Sequence, residues 1–424
     1  MKTSATWMYT VLPISALSGG LGVMIPLYIL FMKGTVYDVG IATAIYALVE
    51  IPASIFWGNL TDKVKRTKLF ILISVIGTFP ILIILYLINS VTLIYSAYGL
   101  YSFVAIAASP AINILIIARR RNGALPKYFS RYSVLVIIGS LAGMIPGLFI
   151  DGHLIREYLI FLLAVDIIAL LVAMEFISEI YPTPKRENKK EIKKSFGILN
   201  MISVTPHILT SHSLLKKIRS NLRIQRGKGI YLLLATISMF NLSMYLFNTS
   251  YIPYLYMHGV GYGGIFSVNI SNTIAQLLIY TVVLSLIKGM SLKKYYKFST
   301  VVRGTSYLVA VAPAFIFTGL FYQLNLAAYF IAGIGYAIWN VTSSVMLYER
   351  VRKMGPGHYI GLWVAVLGLS GVVGAFASGL ISKAAGYAPT FFLSIIAAMV
   401  SLLVFIYLER TERSKHSEMK IHNI

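Results

Sequence analysis

Long apolar runs separated by short polar turns repeat along most of the chain. A helix rises 1.5 Å per residue, so crossing a hydrocarbon layer of roughly 30 Å takes about 20 apolar residues. The runs predict an all-α integral membrane protein with twelve transmembrane helices. We number these helices spans one to twelve, at residues 7–31, 39–57, 69–89, 92–118, 132–150, 157–178, 230–257, 263–287, 299–319, 323–348, 359–380 and 386–408.

A longer polar stretch separates the first six spans from the last six. Residues 179–229 contain the basic runs KRENKKEIKK and LLKKIRSNLRIQRGK. We expect a six-helix bundle over 1–180, a basic cytoplasmic linker over 181–229, a second bundle over 230–410 and a disordered cytoplasmic tail over 411–424. Within the linker, segments 195–210 and 214–224 predict either short amphipathic helices on the membrane surface or a solvated basic loop.

The two sets of spans echo each other in sequence. Span one ends in MIPLY and span seven in YIPYLY, so Pro26 and Pro253 hold matching places. GSLAGMIPGLFID in span five aligns with GVVGAFASGLISK in span eleven, which pairs Gly139 with Gly371 and Gly147 with Gly379. The recurrence in matching helices favours two pseudo-symmetric halves, as in many secondary transporters.

Composition and charge exclude two broad classes of protein. With 58% hydrophobic and 12% charged residues, the chain has more apolar surface than a soluble protein keeps from water. A net charge of +23 is typical of nucleic-acid binding, but here the basic residues fall between the spans. Placing the amino terminus in the cytoplasm puts every Lys and Arg except Lys33, Arg156 and Lys383 on the inner side. The charge then reflects topology and attraction to anionic inner-leaflet lipids in a plasma or inner membrane, with both termini cytoplasmic and no nucleic-acid partner.

The loop after span two carries the most specific motif. It reads GNLTDKVKRTK from Gly58 to Lys68. It resembles the signature loop of the major facilitator superfamily, whose glycine, leucine, aspartate and basic residues match Gly58, Leu60, Asp62, Lys63 and Arg66; Lys65 stands where the family has a second glycine. The resemblance implies two six-helix bundles that rock around a central substrate cavity, with Gly58, Asp62, Lys63 and Arg66 as a polar latch. The alternative is an ordinary basic inner loop.

Span five resembles, more loosely, the glycine and proline motif of antiporters in that superfamily. The matching residues are Gly139, Gly143, Pro146 and Gly147, although Met144 stands where the family's proline directly follows the second glycine. This motif favours export, while the alternative is a helix crossing with a kink. Many proton-coupled exporters of the family also carry a buried arginine early in span four. Here the first basic residue is Arg119, which puts proton coupling in doubt.

Polar residues at helical spacing predict the lining of a cavity. Such stripes occur on spans four, seven, eight and ten, and polar side chains that face lipid would go unpaired. They can line the cavity or serve as interhelical hydrogen bonds. The candidate cavity residues are Asn113, Asn241, Tyr245, Asn248, Asn272, Gln276, Tyr336 and Asn340.

Two acidic residues lie deep in predicted spans. Glu50 of span two lies about 17 Å into a hydrocarbon core of roughly 30 Å, near its middle. A carboxyl there can hold and release a proton or attract a cationic substrate. Asp166 in span six is similarly deep, but that helix is peripheral in the family, so it ranks second. Either acid can instead be a protonated or paired structural group.

The sequence contains no cysteine, no GxxxxGK[ST] phosphate-binding loop and no metal-ligand spacing, so we expect no cofactor and no enzymatic activity. We expect a secondary transporter that exports a small apolar or cationic organic molecule, with possible coupling to a proton or another ion. One alternative is an importer or facilitator of a polar solute such as a sugar, whose hydroxyls suit Asn, Gln and Tyr. Another is a transport-inactive membrane sensor or scaffold that acts through the basic linker.

Overall fold

The computed structural model describes residues 5–118, 125–177, 228–287, 291–314, 318–351 and 356–421. The two linker segments predicted as amphipathic helices and the run Arg119 to Arg121 lie outside the described residues. Within the described part, every predicted span is helical. The helices are Val11–Phe31, Val36–Val64, Thr67–Leu87, the pair Val91–Ala105 and Ala108–Ala118 for span four, Leu125–Met144, Ile155–Phe176, Lys228–Met257, Tyr262–Ile287, Leu292–Val311, Phe321–Val351, Pro356–Ala385 and Tyr387–Ile421.

The all-α membrane fold is confirmed. In the described part of the chain, eleven helices are long and apolar enough to cross a membrane. Span nine, the helix Leu292–Val311, is the exception, since Lys293, Lys294 and Lys297 stand at its start and Arg303 lies within it. Where the structure describes them, short turns reverse the chain between spans. The described turns that follow odd-numbered spans, such as residues 32–35, lie at what we call the opposite face. The turn after span two lies at the other end of the helices, which we call the terminal face, with the first and last described residues.

The last helix extends beyond the predicted end of span twelve. It continues to Ile421, so residues 411–421 are helical rather than the disordered tail that composition predicts. Ion pairs hold its first extra turn. Glu409 Oε2 lies 2.9 Å from Lys297 Nζ, and Glu412 pairs with Lys293 Nζ at 2.7 Å and with Arg350. These basic partners come from spans nine and ten, so local composition carries no sign of them.

The two halves meet closely near the opposite face. Spans two and eleven cross where Gly40 faces Gly379, and a Cβ built on Gly40 would lie 2.7 Å from the Gly379 Cα. Only glycine permits this backbone approach. Toward the outer end of the same crossing, Lys383 Nζ lies 4.8 Å above the Tyr37 ring. A side chain at Gly147 in span five would overlap the Phe266 ring of span eight, so this second pair of spans also touches near the opposite face.

Candidate substrate cavity

Two adjoining cavities lie between the halves. The first, which we call the Glu50 cavity, has a volume of about 370 Å³, and the second, the Asn248 cavity, about 460 Å³. Met244 and Tyr245 of span seven line both cavities. Polar walls of the Glu50 cavity come from Glu50, Ser54, Ser109, Asn241, Tyr245 and Tyr336. Those of the Asn248 cavity come from Ser18, Thr43, Tyr98, Ser140, Tyr245, Asn248, Thr249, Asn269, Thr273, Gln276 and Tyr329.

Glu50 lies at mid-depth in span two, about 21 Å from the start of helix Val36–Val64. Its side chain is half-buried at the cavity wall, and no described residue forms a hydrogen bond with it. Tyr245 and Tyr336 line the same cavity, and Tyr46 precedes Glu50 by one turn of the helix. The Tyr46 and Tyr98 rings pack with their centroids 4.6 Å apart. The wall around Glu50 therefore combines one carboxyl group with aromatic faces, which suits a cationic or aromatic solute.

The predicted cavity residues divide into two groups. Asn241, Tyr245, Asn248, Gln276 and Tyr336 line one or both cavities. Asn241 is also an interhelical contact, because its Nδ2 donates to Leu367 O and Ser370 Oγ, both at 2.9 Å.

The other three form hydrogen bonds within or between helices. Asn113 donates to Ser109 O in its own helix (2.5 Å), Asn272 to Tyr329 O (2.8 Å) and Asn340 to Tyr280 Oη (2.7 Å). Spacing cannot separate these two groups, because one helical face can meet both a cavity and a neighbouring helix.

Asp166 is buried in the amino-terminal bundle, between spans six and three. Its side chain is 1% exposed, and Thr78 Oγ1 donates to its Oδ1 at 2.9 Å. Its Oδ2 has no hydrogen-bond partner among the described residues. Neither cavity is lined by Asp166. An unpaired charge is costly in such a buried position, so this geometry fits the structural alternative.

The signature loop forms the turn between spans two and three. Lys65 ends the span-two helix with a positive φ of 58°, a left-handed conformation that favours glycine. This is the position where the family pattern has its second glycine. Gly58 is buried, Asp62 is half-buried, and Lys63 and Arg66 are exposed. Lys68 Nζ donates to Met174 O at 2.6 Å, which ties the loop to span six of the same half.

The span-five glycines lie at a helix crossing. A Cβ on Gly139 or on Gly143 would overlap the carbonyl oxygen of Leu12 or Ala16 in span one. Pro146 falls in the 3₁₀ turn Ile145–Phe149, where the regular helix ends. Packing alone accounts for Gly139 and Gly143, so these two glycines carry no separate information about the direction of transport.

Sequence reasoning missed Arg303. The charge count assigned it to the inner side, but the structure buries it inside span nine with 2% of its surface exposed. Its Nε donates to Tyr307 Oη, one NH group to Ala332 O and the other to Asn248 Oδ1, at 2.9, 2.9 and 2.8 Å. The sequence contains one signal that could have identified it. Arg303 is the only basic residue between Phe298 and Gly319, within predicted span nine.

Comparisons with known proteins agree with the fold. The model of the family described as Major Facilitator Superfamily matches residues 8–356. A crystal structure of the nucleoside transporter NupG is similar with a TM-score of 0.70 and 14% identity, covering 97% of this chain and 99% of that one. A POT family transporter in complex with 5-aminolevulinic acid has a TM-score of 0.68 and 15% identity, covering 96% of each chain. No curated protein sequence matches.

Proposed function

Because the chain belongs to the major facilitator superfamily of transporters, we propose that it moves a small organic solute by alternating access, with Glu50 as the group that binds a cation or a proton. The proposed direction is export, and the proposed solute is an apolar or cationic compound. The proposed setting is the plasma or inner membrane, with both termini cytoplasmic and with basic loops that bind anionic lipids.

The observation that carries this proposal is the position of Glu50. It is an acidic side chain at the wall of the Glu50 cavity, half-buried and without a hydrogen bond from any described residue. A carboxylate held away from water without a partner is costly, so it favours either a proton or a cationic ligand. The tyrosines around it add aromatic faces on which a cation or ring can stack.

Contacts between the halves support alternating access. Near the opposite face, Gly40 and Gly379 let spans two and eleven touch through their backbones. The contact is made mostly by shape, with the Lys383 ammonium above the Tyr37 ring as its polar part. It can therefore separate without breaking strong bonds, which suits two bundles that rock about a central site. At the terminal face, we propose that Gly58, Asp62, Lys63 and Arg66 form the latch that this motion opens and closes.

The experiment compares Glu50→Gln with Asp166→Asn in proteoliposomes under an imposed pH gradient. Ethidium serves as a cationic aromatic probe. We expect Glu50→Gln to lower gradient-driven flux by about tenfold or more, the effect of losing a charge-assisted contact. Asp166→Asn should retain most of the flux, because Asp166 lines neither cavity. Unchanged flux with an unchanged pH dependence in Glu50→Gln would contradict the role proposed for Glu50.

A second candidate is import or facilitated passage of a polar solute. The observation that favours it is the amide and hydroxyl wall of the Asn248 cavity, where Asn248, Asn269, Thr273 and Gln276 meet. Such groups match the hydroxyls of a sugar better than they match a hydrocarbon. Downhill uptake of a labelled sugar into proteoliposomes without any gradient, retained in Glu50→Gln, would select this candidate.

A further inference from the structure

Span nine places a full positive charge behind the wall of the Asn248 cavity. The Arg303 guanidinium contacts three neutral acceptors, namely Tyr307 Oη, Ala332 O and Asn248 Oδ1. Its central carbon also lies 5.2 Å from the centre of the Tyr307 ring. Within the described residues, the ion pairs join Glu409 and Glu412 to other basic groups, and none involves Arg303. The charge is therefore hydrogen-bonded but not neutralised.

A buried guanidinium without a counter-ion is costly in a low-dielectric interior. Hydrogen bonds to neutral oxygens and an aromatic face recover part of that cost. The remaining positive potential extends to the cavity through the one partner of Arg303 that lines it, Asn248. A site that holds such a charge beside a solute cavity is suited to an anionic group in the solute.

The Arg303 contact also fixes what Asn248 offers to a ligand. Asn248 Oδ1 accepts from the guanidinium at 2.8 Å and faces Tyr329 Oη at 3.4 Å. With the oxygen occupied, the Nδ2 group remains, and no described residue accepts a hydrogen bond from it. An amide whose oxygen is bound to a cation is a stronger donor through its nitrogen. The cavity wall at Asn248 therefore presents polarised N–H groups that match a carboxylate or phosphate oxygen.

We propose that Asn248, polarised by Arg303, is a binding site for the anionic oxygen group of the transported solute. The inference deepens the proposed function and rests on it, since the solute binds in the same pair of cavities. Glu50 lines one cavity, Asn248 lines the other, and Tyr245 lines both. The acidic side chain and the polarised amide can therefore bind opposite charges of one solute. The inference narrows the cationic compound of the proposed function to a small amphoteric one, with a cationic group at Glu50 and an acidic oxygen group at Asn248.

The test measures the Tm of purified full-length protein with four probes that share one ring: benzylamine, benzoate, phenyl phosphate and phenylglycine. A ligand of the folded state raises the Tm. We expect phenylglycine to raise it most in the wild type, with benzoate or phenyl phosphate identifying the preferred acid. Asn248→Asp places a carboxylate against Arg303 and neutralises it, so the half-saturating concentration of the acidic probes should rise about tenfold or more. Benzylamine binding should be retained.

Two further variants separate binding from folding. Arg303→Met removes the charge and should weaken the acidic probes as Asn248→Asp does. Ser250→Ala, in the same helix as Asn248, removes buried hydroxyl contacts with Ser378 and Ser382 and touches neither Arg303 nor its partners. It should lower the Tm without changing the affinity for any probe. If Arg303→Met does not fold, the Asn248→Asp variant still tests the inference. Its carboxylate can accept hydrogen bonds from Arg303 and Tyr329, as the Asn248 amide oxygen does, so we expect it to fold.

Three outcomes overturn the inference: a Tm response to benzylamine alone, equal responses to the acidic probes in the wild type and Asn248→Asp, or no response to any acidic probe at millimolar concentration. Failure of the proposed role of Glu50 gives a different pattern. In that case Glu50→Gln leaves the benzylamine response intact while Asn248→Asp still removes the benzoate or phenyl phosphate response.

Discussion

The crossing of spans one and five and the crossing of spans seven and eleven hold matching places in the two halves, but they are built differently. In the first, Gly143 brings span five against the Ala16 carbonyl with no room for a side chain. In the second, serines supply hydrogen bonds: Ser250 Oγ and Ser378 Oγ lie 2.6 Å apart, and Ser378 Oγ donates to Leu246 O at 2.6 Å. Within the described residues, only one long hydrogen bond crosses between spans one and five, from Ser140 Oγ to Ser15 O at 3.3 Å. The same architecture is thus held mainly by close backbone packing in one half and largely by polar contacts in the other.

The difference teaches which changes each half tolerates. Close-packed backbone atoms cannot move aside for an added side-chain atom, so even a small substitution there causes a large loss of stability. When one hydroxyl of a cluster is removed, its neighbours can form hydrogen bonds with the remaining hydroxyls. Each interhelical hydrogen bond in a membrane also contributes only modestly to stability. The amino-terminal crossing should therefore be sensitive to single methyl groups, whereas the carboxy-terminal crossing should lose stability gradually.

The largest expected effect comes from Gly143→Ala. The added methyl group meets backbone rather than a flexible side chain, and we expect a loss of about 3 kcal/mol or more, often as failure to fold. Thermal melting in detergent checks this. Gly22→Ala is the matched control in the same bundle, because nothing lies within 4 Å of its added Cβ. A Gly143→Ala protein with the melting temperature of the wild type would refute the description of this crossing as close-packed backbone.

Removing one serine from the other crossing should cost less. Ser378→Ala and Ser250→Ala should each lower stability by about 1 kcal/mol. The double variant should lose less than the sum, since both changes break the same contact. Melting of the three variants measures the coupling. Strict additivity would show that the two hydroxyls act independently.

Gly371 is the sequence counterpart of Gly139 and sharpens the comparison further. A Cβ on Gly371 would lie 3.1 Å from the Tyr245 ring, which can give way, whereas one on Gly139 overlaps a carbonyl oxygen. We expect Gly371→Ala to cost about 1 kcal/mol or less and Gly139→Ala clearly more. Equal losses in a melting experiment would mean that the two crossings are packed alike.

The smallest expected effect concerns the turns after spans one and seven. Lys33 has a φ of 62° and Gly259 a φ of 80°, so the corresponding turns of the two halves use a lysine and a glycine for the same left-handed conformation. Lys33→Gly should raise stability by about 0.5–1 kcal/mol, and Gly259→Lys should lower it by about 1 kcal/mol. The melting temperatures of Lys33→Gly and Gly259→Lys show whether each substitution raises or lowers stability. A destabilised Lys33→Gly would show that lysine contacts outweigh backbone strain.

The sequence predicts the helices well because their cause is local. Apolar length determines whether a segment crosses lipid, and the repeated proline and glycine positions point to the two halves without any knowledge of packing. Spans two and six also place Glu50 and Asp166 at depth. What separates the two acids, a cavity wall for Glu50 and a buried position beside Thr78 for Asp166, depends on neighbouring helices that periodicity does not identify.

The features that the sequence does not predict are set by contacts between distant residues. Arg303 lies within helix Leu292–Val311, whose first turns carry three lysines, so a charge count treats all four residues as one cluster. Its burial depends on Asn248 and Ala332, which come from two other spans. The first turn of the helical extension beyond span twelve contacts basic residues of spans nine and ten in the same way.

Arg303 has a consequence for how this protein is made. An arginine alone in the hydrocarbon core costs up to about 3 kcal/mol, the value for the bilayer centre, on the scale that applies to insertion during synthesis. Because of this cost, the free energy gained when span nine alone moves from the translocation channel into lipid is small. Its acceptors belong to span seven, which is synthesised earlier, and to span ten, which follows. Span nine should wait at the channel until span ten emerges, so that the three helices enter the lipid as one unit.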